Sequence, residues 1–274
     1  MRIATWNVNS LRARLSHLCH WLNKDKVDVV LLQELKAQNH QIDTSALEDL
    51  GYNVALFGQK SWNGVAILSR FPLEDIRYGV EGAEALPEEE EVADPYVHAR
   101  YIEAVVSTSQ GIVRVASIYA PNGNPIDSDK FDKKQRFMEQ LDAHVAALMQ
   151  EEEKFVLAGD YNVLLDDRDA PSMVGWEKDA LGHPQSVAAL RGMIHRGLVD
   201  ALRVHHTGTG LYSFWDYQGG AWQRDNGLLI DRLLLSPQAA DGLRASGVMK
   251  QMRGQKQASD HVPVWCQLVL DKDA

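Results

Sequence analysis

The sequence predicts an α/β fold with mixed sheets layered as a sandwich. Short apolar, strand-like runs outnumber the helical patterns and are interspersed with them. Asn7, Glu34, Tyr119 and Asp160 lie at or just past the C-terminal end of such runs, whereas Asp260 and His261 open one and Asp231 lies inside one. If these polar groups meet, some strands must enter the meeting point and others leave it. That requires mixed or antiparallel pairing, not an all-parallel barrel. With 274 residues, 45% of them hydrophobic, the chain can bury a sizeable core.

The first strand-like run covers residues 2–6. Ser10 behind it can cap a helix over 11–23, where Leu11, Leu15, Leu18 and Leu22 recur at spacings of 4, 3 and 4. Runs over 27–32, 64–69, 101–107 and 112–119 follow, several of them separated by glycine, proline and asparagine clusters. A long helix over 130–150 gathers Phe137, Leu141, Val145 and Leu148 on one face. Runs over 155–158, 228–235 and 262–270 complete the strands, and a shorter helix covers 187–196. The stretch 84–95 holds four consecutive glutamates between two prolines and reads as a solvated hairpin or loop.

Net charge is −10, from 28 basic and 38 acidic residues, which argues against a nonspecific nucleic-acid coat. It leaves room for an acidic metal site, because a divalent cation offsets clustered carboxylates. Cys19 and Cys266 read as two buried, reduced thiols rather than a disulfide framework, as in a reducing cytoplasm. The N-terminus runs straight into a strand pattern without the marks of a secretory signal, and 29–32 is too short to span a bilayer. A cytoplasmic protein is expected.

Five clusters carry chemistry. Asn7 follows a strand, which alone marks only a turn. Glu34 ends the hydrophobic run Leu31-Leu32-Gln33, where it is either a surface glutamate or a ligand for a hard cation. In Gly159-Asp160-Tyr161-Asn162, the two polar side chains are two apart and point the same way in extended backbone. One can activate a water while the other holds a phosphate; a plain turn is the alternative. Asp231 lies within an apolar run and needs a partner. Ser259-Asp260-His261 precedes a strand and can offer a carboxylate to a metal and an imidazole oriented by an acid such as Asp231.

In this order the clusters resemble the exonuclease III and abasic-site endonuclease family of the endonuclease–exonuclease–phosphatase superfamily. The resemblance covers nearly the whole chain. It includes Trp6-Asn7-Val8-Asn9, Leu11-Arg12-Ala13-Arg14, Gln33-Glu34-Leu35-Lys36, Gly51-Tyr52-Asn53-Val54, Asn63-Gly64-Val65-Ala66 and Tyr119-Ala120-Pro121-Asn122-Gly123. The stretch Tyr212-Ser213-Phe214-Trp215-Asp216-Tyr217 points to the DNA-repair branch rather than to its lipid and inositol-phosphate relatives. The resemblance implies one domain over 1–274: a four-layer sandwich of two mixed sheets flanked by helices, built of two similar halves.

It further implies a Mg2+-dependent DNA repair nuclease, with Mn2+ able to substitute. Its substrate would be double-stranded DNA with abasic or 3′-end damage, and the protein would act as a monomer away from membranes. The activities implied are 3′→5′ exodeoxyribonuclease, abasic-site endonuclease cutting 5′ of the lesion to leave a 3′-hydroxyl, and 3′-phosphatase or phosphodiesterase. Glu34 would be the main metal ligand, with Asn7, Asp160, Asn162, Asp260 and His261 around the same site. Asp160 would align or deprotonate the attacking water, and Asn162 would hold the scissile phosphate. Tyr119 would support the phosphate or leaving oxygen, and His261, oriented by Asp231, would stabilise charge on the pentacovalent phosphate. Asn122, Phe214, Leu228 and Ile230 would bind substrate, the last three lining a small apolar pocket beside the metal. Strand alternation puts Leu228 and Ile230 on one face and Leu229 on the other; core packing is the alternative for all three apolar residues.

Two positions depart from the family pattern. Leu229 stands where many members have arginine, and Ser186-Val187 where many have a Glu-Arg pair. Both changes are expected to remove charge near a DNA face. His205-His206 reads as a surface turn, the basic stretch 244–257 as a solvated face or a phosphate-contacting surface, and Trp21 and Trp265 as core. The competing functions are a phosphatase acting on a small molecule or lipid, and a catalytically silent nucleic-acid-binding regulator.

Overall fold

The computed structural model describes residues 1–80 and 98–270, so the glutamate-rich stretch 84–95 lies outside the described residues. In chain order the elements are β1 (Arg2–Asn7), α1 (Leu11–Asp25), β2 (Val29–Gln33), α2 (Ser45–Glu48), β3 (Asn53–Phe57), β4 (Val65–Ser69), β5 (Leu73–Tyr78), β6 (Tyr101–Thr108) and β7 (Gly111–Tyr119). Then come α3 (Asp129–Gln150), β8 (Phe155–Asp160), α4 (Pro184–His195), β9 (Val199–Asp200), α5 (Ala201–His205), β10 (Asp231–Leu235), α6 (Pro237–Ala240), β11 (Leu243–Val248) and β12 (Val264–Leu268).

The strands form two six-stranded sheets, ordered β11-β12-β1-β2-β4-β3 and β5-β6-β7-β8-β10-β9. Each has one parallel pair at its centre, β1 with β2 and β7 with β8, flanked by antiparallel neighbours. A parallel pair needs a crossover, and α1 and α3 supply the two. The mixed pairing is the one expected from the polar strand ends.

Alternation along the strands divides the apolar residues among three cores. Ile3, Leu31, Ile67, Val115, Val156, Leu233 and Val264 meet between the sheets. Ala4, Trp6, Val30, Leu32 and Leu68 face outward against Leu11, Leu18, Trp21 and Leu22 of α1. Ile118, Leu157 and Leu234 face the other way against Phe137, Leu141, Val145 and Leu148 of α3 and Leu190 and Met193 of α4. The result is four layers: helix, sheet, sheet, helices. Full burial of a leucine such as Leu18 or Leu141 contributes roughly 1.5–3 kcal/mol. A polar seam also crosses between the sheets: Gln33 Nε2 donates to Ser117 Oγ at 2.9 Å, and Ser117 Oγ donates to the Leu32 carbonyl at 2.8 Å.

Several local expectations are corrected. Ser10 stands before α1 but makes no side-chain cap; the amides of Ser10 and Leu11 donate instead to the carbonyls of Glu34 (2.8 Å) and Leu35 (3.2 Å). The cap comes from the neighbouring strand end, which fastens α1 to the Glu34 loop. α4 begins at Pro184, whose fixed φ suits a first helical turn. The run 228–235 is strand only from Asp231, because Leu228 leaves to bridge Phe214.

Other corrections concern exposure. Leu229 is fully buried between the sheets rather than at a surface. Ser186 is buried too, its hydroxyl accepting from Gln135 Nε2 at 3.2 Å, and Val187 lines an open groove with Leu164, Arg168 and Arg191. His205 and His206 end α5 and hydrogen-bond Ser246 rather than forming a free turn. The basic stretch 244–257 includes most of β11, and its Arg253 is buried, donating to the Trp215 carbonyl at 3.1 Å under Tyr217 and Trp222. Cys266 is buried and Cys19 half-buried, both free. Trp21 is core, while Trp265 is half-exposed beneath the Arg2 guanidinium.

Candidate active site

The C-terminal ends of the two central parallel pairs lie at the same end of the sandwich. β1 and β2 deliver Asn7 and Glu34; β7 and β8 deliver Tyr119 and Asp160, which are register partners. Asp231 opens the antiparallel β10 directly opposite Asp160. Gly159 permits this closeness: a Cβ there would lie 1.8 Å from the Ile118 carbonyl oxygen. The segment before β12 is pinned to β1 by Trp6 Nε1 donating to the His261 carbonyl (3.1 Å) and Ser259 Oγ donating to the Asn7 carbonyl (2.8 Å). These bonds set His261 over the site.

Asn7 joins the two sheets. Its amide NH2 donates to Glu34 Oε1 at 2.9 Å and to Asp160 Oδ2 at 3.0 Å, while its oxygen accepts the Asn9 N–H. Lys36 Nζ lies 2.7 Å from Glu34 Oε2. Burial opposes the Glu34 charge, but Lys36 and Asn7 outweigh it and hold the carboxyl below the ordinary glutamate range. Asp160 is the reverse case. Burial is the main cause that lifts its carboxyl to about 7; His261 works against the rise, and the charges of Asp231 and Glu34 add to it. Tyr119 hydrogen-bonds Glu34, and burial together with the Glu34 charge keeps its phenol protonated.

His261 Nε2 lies 3.7 Å from Asp160 Oδ2, and Nδ1 lies 2.7 Å from Asp231 Oδ2. Burial disfavours the imidazolium, yet Asp231 and Asp160 together lift its pKa to about 10. Asp231 Oδ2 also accepts from Ser213 Oγ at 2.6 Å, while its other oxygen is buried without a partner. Phe214 packs its ring 4.9 Å from the His261 ring. The ligand atoms of Asp160, Asp231 and His261 lie within 4.8 Å of one another. Because Asp231 is engaged by His261 and Ser213, this trio is an oriented imidazole beside a carboxylate.

Asn162 completes the edge. Its N–H donates to Asp160 Oδ1 (3.0 Å) and its side chain to the Ala120 carbonyl (3.0 Å), with Asn122 Nδ2 3.5 Å from its oxygen. Asn162 and Glu34 both hold left-handed backbone, with φ of 50° and 56°. Asparagine tolerates this, while for glutamate it costs about 1–2 kcal/mol. Asp260 is one bridge further out: Asn9 Nδ2 donates to its Oδ1 at 3.0 Å. Leu228 and Ile230 pack with Leu164, Ala170 and Leu181 in a small apolar cluster that Phe214 borders. Leu229 points the opposite way, so the alternation is as expected.

Three side chains here were given no role by sequence reasoning. Ser213 orients Asp231, and Lys36 pairs with Glu34. Arg100 lies over the Tyr119 ring at 4.7 Å and donates to its carbonyl at 3.1 Å. The hairpin register signals Arg100: Thr108 pairs with Gly111 and Tyr101 with Ile118, which carries Arg100 opposite Tyr119.

Carboxylates, amides and an acid-oriented imidazole, gathered where two mixed sheets end, define a phosphodiester hydrolase. The chain belongs to the endonuclease/exonuclease/phosphatase family, whose model matches residues 4–261, and within it to the exonuclease III and abasic-site endonuclease branch. Exodeoxyribonuclease III of Haemophilus influenzae is 28% identical over 97% of this chain and 99% of that protein. A 3′-phosphatase from Neisseria, bound to a product DNA hairpin, superposes with a TM-score of 0.88 at 34% identity, covering 98% of this chain and 99% of that one. An abasic-site endonuclease from Archaeoglobus fulgidus superposes at 0.87 and 30% identity, with the same coverage.

Proposed function

We propose that this protein is a Mg2+-dependent DNA repair nuclease acting on double-stranded DNA at abasic sites and damaged 3′ ends. The observation that carries this reading is the Glu34–Asn7–Asp160 bridge beside the His261–Asp231 pair, with the Leu228–Ile230 apolar cluster and Phe214 adjoining it. The donor set fits a hard divalent cation: Glu34 and Asp160 offer carboxylate oxygens, and the buried, mutually repelled Asp160 carries a charge that a cation would offset. Glu34, Asp160 and the amide of Asn162 would hold the ion, with Asn7 and Asp260 around it. When bound, Mg2+ supplies Lewis acidity and offsets charge on the leaving oxygen, and Mn2+ offers the same chemistry.

The chain's own groups divide the remaining work. Asp160 aligns a water and accepts its proton at a carboxylate oxygen. Asn162 and Asn122 hold the phosphate, and the protonated Tyr119 hydroxyl supports a phosphate or leaving oxygen. His261, kept as imidazolium by Asp231, stabilises negative charge as the phosphorus becomes five-coordinate. Phe214, Leu228 and Ile230 suit a sugar without its base, whereas an intact nucleotide must first be unstacked at a cost of a few kcal/mol. Cleavage 5′ of the lesion then leaves a 3′-hydroxyl. The same centre can remove 3′-terminal nucleotides or a 3′-phosphate, as the Neisseria relative's activity supports. The filled catalytic set argues against a silent regulator.

We also take residues 1–274 as one domain of two similar halves, supported by the identical pairing pattern of the two sheets, and expect a cytoplasmic monomer. No helix among the described residues is long and apolar enough to cross a membrane. The deciding experiment compares two labelled duplexes differing only at one internal abasic site, with Mg2+ and with EDTA. Faster cutting 5′ of the lesion, abolished by EDTA, is expected. Equal rates on both duplexes would mean that the pocket does not select damage.

A further inference from the structure

Lys134 lies on α3 and is fully buried; burial lowers its pKa to about 7, and the charges of Asp160 and Asp179 oppose that fall. A buried lysine needs partners, and this one has three. Its Nζ donates to the carbonyl oxygens of Asn122 (3.1 Å), Asn162 (2.6 Å) and Ala180 (2.9 Å). An ammonium has three donors and no acceptor, so this set of carbonyls satisfies it completely and leaves no proton spare.

The three carbonyls belong to three different loops. One leads from Tyr119 into α3, one carries Asp160 and Asn162 out of β8, and one precedes α4. The first two hold the phosphate-side groups of the proposed mechanism. The third carries Leu181, a wall of the apolar cluster, whose carbonyl accepts from Leu164 N–H at 2.8 Å. Asn124 reinforces the junction: its Nδ2 donates to Asp179 Oδ1 at 3.0 Å, and its oxygen accepts from Ala180 N–H at 2.9 Å. Gly123 lets the loop close over the lysine stem. Its φ is +88°, and a Cβ there would lie 2.6 Å from Lys134 Cδ and 3.1 Å from Ala180 Cβ.

We propose that Lys134 is a positioning residue that sets the spacing between the phosphate-holding edge (Asp160, Asn162, Asn122) and the pocket wall at Leu181, so that a lesion seated in the pocket presents its phosphate to Asp160. The inference rests on the reading of the site as a damage-selective nuclease. A group that touches neither phosphate nor sugar thereby controls turnover on substrates that use both the pocket and the reactive edge. A displacement on the order of 1 Å between two such surfaces costs about a hundredfold in rate.

The test uses the intact chain with Mg2+ and two substrates: an abasic duplex, which fills both surfaces, and bis(4-nitrophenyl) phosphate, which has no sugar for the pocket. Lys134→Met is expected to lower kcat on the duplex by about a hundredfold, with KM within threefold, and to affect the small diester much less. Lys134→Ala is expected to regain duplex turnover when methylammonium is added, because the cation can occupy the vacated place between the carbonyls. Unchanged duplex kcat in Lys134→Met would overturn the proposal. So would equal losses on both substrates without amine rescue, the signature of a merely structural lysine. If neither lysine variant folds, Asn124→Ala decides at a half-exposed position: a fall in the duplex-to-diester ratio supports the junction, and an unchanged ratio overturns it. A wild-type chain that hydrolyses the diester but not the abasic duplex would instead refute the functional reading.

Discussion

Asp231→Asn isolates the orientation of His261 while changing almost no volume. In the native site, Asp231 Oδ2 accepts from His261 Nδ1 at 2.7 Å and from Ser213 Oγ at 2.6 Å. The amide that replaces it can sit in two ways. With its oxygen toward the imidazole, the hydrogen bond survives but the charge that holds the proton is gone. With its NH2 toward the imidazole, Nδ1 becomes the acceptor and the tautomer is reversed. Either way the imidazolium loses its main counter-charge while Asp160 stays 3.7 Å away, and the pKa should fall from about 10 toward the ordinary histidine range. A hydrogen bond to a charged group contributes about 1.5–3 kcal/mol. If that is spent on the transition state, kcat falls by roughly 10- to 150-fold. The first orientation also places NH2 where Asp231 Oδ1 is buried without a partner, costing about 1–3 kcal/mol of stability. Single-turnover cleavage of an abasic duplex, a urea melt and an NMR titration of His261 together read all three effects. A kcat within twofold of wild type, with the His261 titration already shifted down, would refute the reasoning: the imidazolium would then not act in the rate-limiting step.

The other predictions concern separate parts of the molecule. Glu34→Ala should raise the Mg2+ concentration needed for half-maximal rate and lower turnover while leaving the far-ultraviolet circular dichroism unchanged; full activity at low Mg2+ would remove Glu34 from the metal site. Asp160→Asn and His261→Ala should each reduce kcat by at least about a hundredfold, with little change in KM; a defect confined to KM would contradict their assignment to the transition state. Asp169→Asn breaks a buried network in which Asp169 pairs with Arg232 and Arg203, and should cost about 3–5 kcal/mol in a urea melt; a smaller loss would mean that Arg232 finds compensation at Asp200. Without metal, the His261 contribution is fully present below its ordinary pKa and lost as pH rises through about 10, and the raised Asp160 pKa gives a loss as pH rises through about 7. Metal-free stability should therefore decline from mildly acidic to alkaline pH, and a flat profile across that window would count against both shifts.

The sandwich was legible because its signals are local: apolar alternation marks the strands, and 3.6-residue periodicity marks α1 and α3. The polar strand ends also carried the mixed pairing, since Asn7 and Asp160 leave strands where Asp231 and His261 enter or approach them. What escaped depends on contacts distant in sequence. Ser10 looks like a cap, but its own amide and that of Leu11 are tied to the carbonyls of Glu34 and Leu35, and at φ 90° its side chain caps nothing. Leu229 looked like a lost surface charge until the sheets closed over it. β5 and β11 are edge strands with broken registers and mixed composition, so periodicity did not reveal them. Arg100 and Ser213 act through residues that sequence reasoning had already found, and their own neighbours in the chain advertise nothing.

The pairing of the first strand with the last also bears on when the site can exist. Trp6 and Asn7 hold partners 255 and 252 residues away, at His261 and Ser259. During synthesis Asn7 emerges about 250 residues before the imidazole and the segment that seats it. We infer that the growing chain cannot hydrolyse DNA or RNA near the ribosome, because the centre closes only when synthesis has passed β12. A chain stopped at residue 258 should be inactive even where its second sheet has folded, and residual cleavage by that fragment would contradict this timing. Joining segments about 250 residues apart makes translation through His261 a condition for cutting.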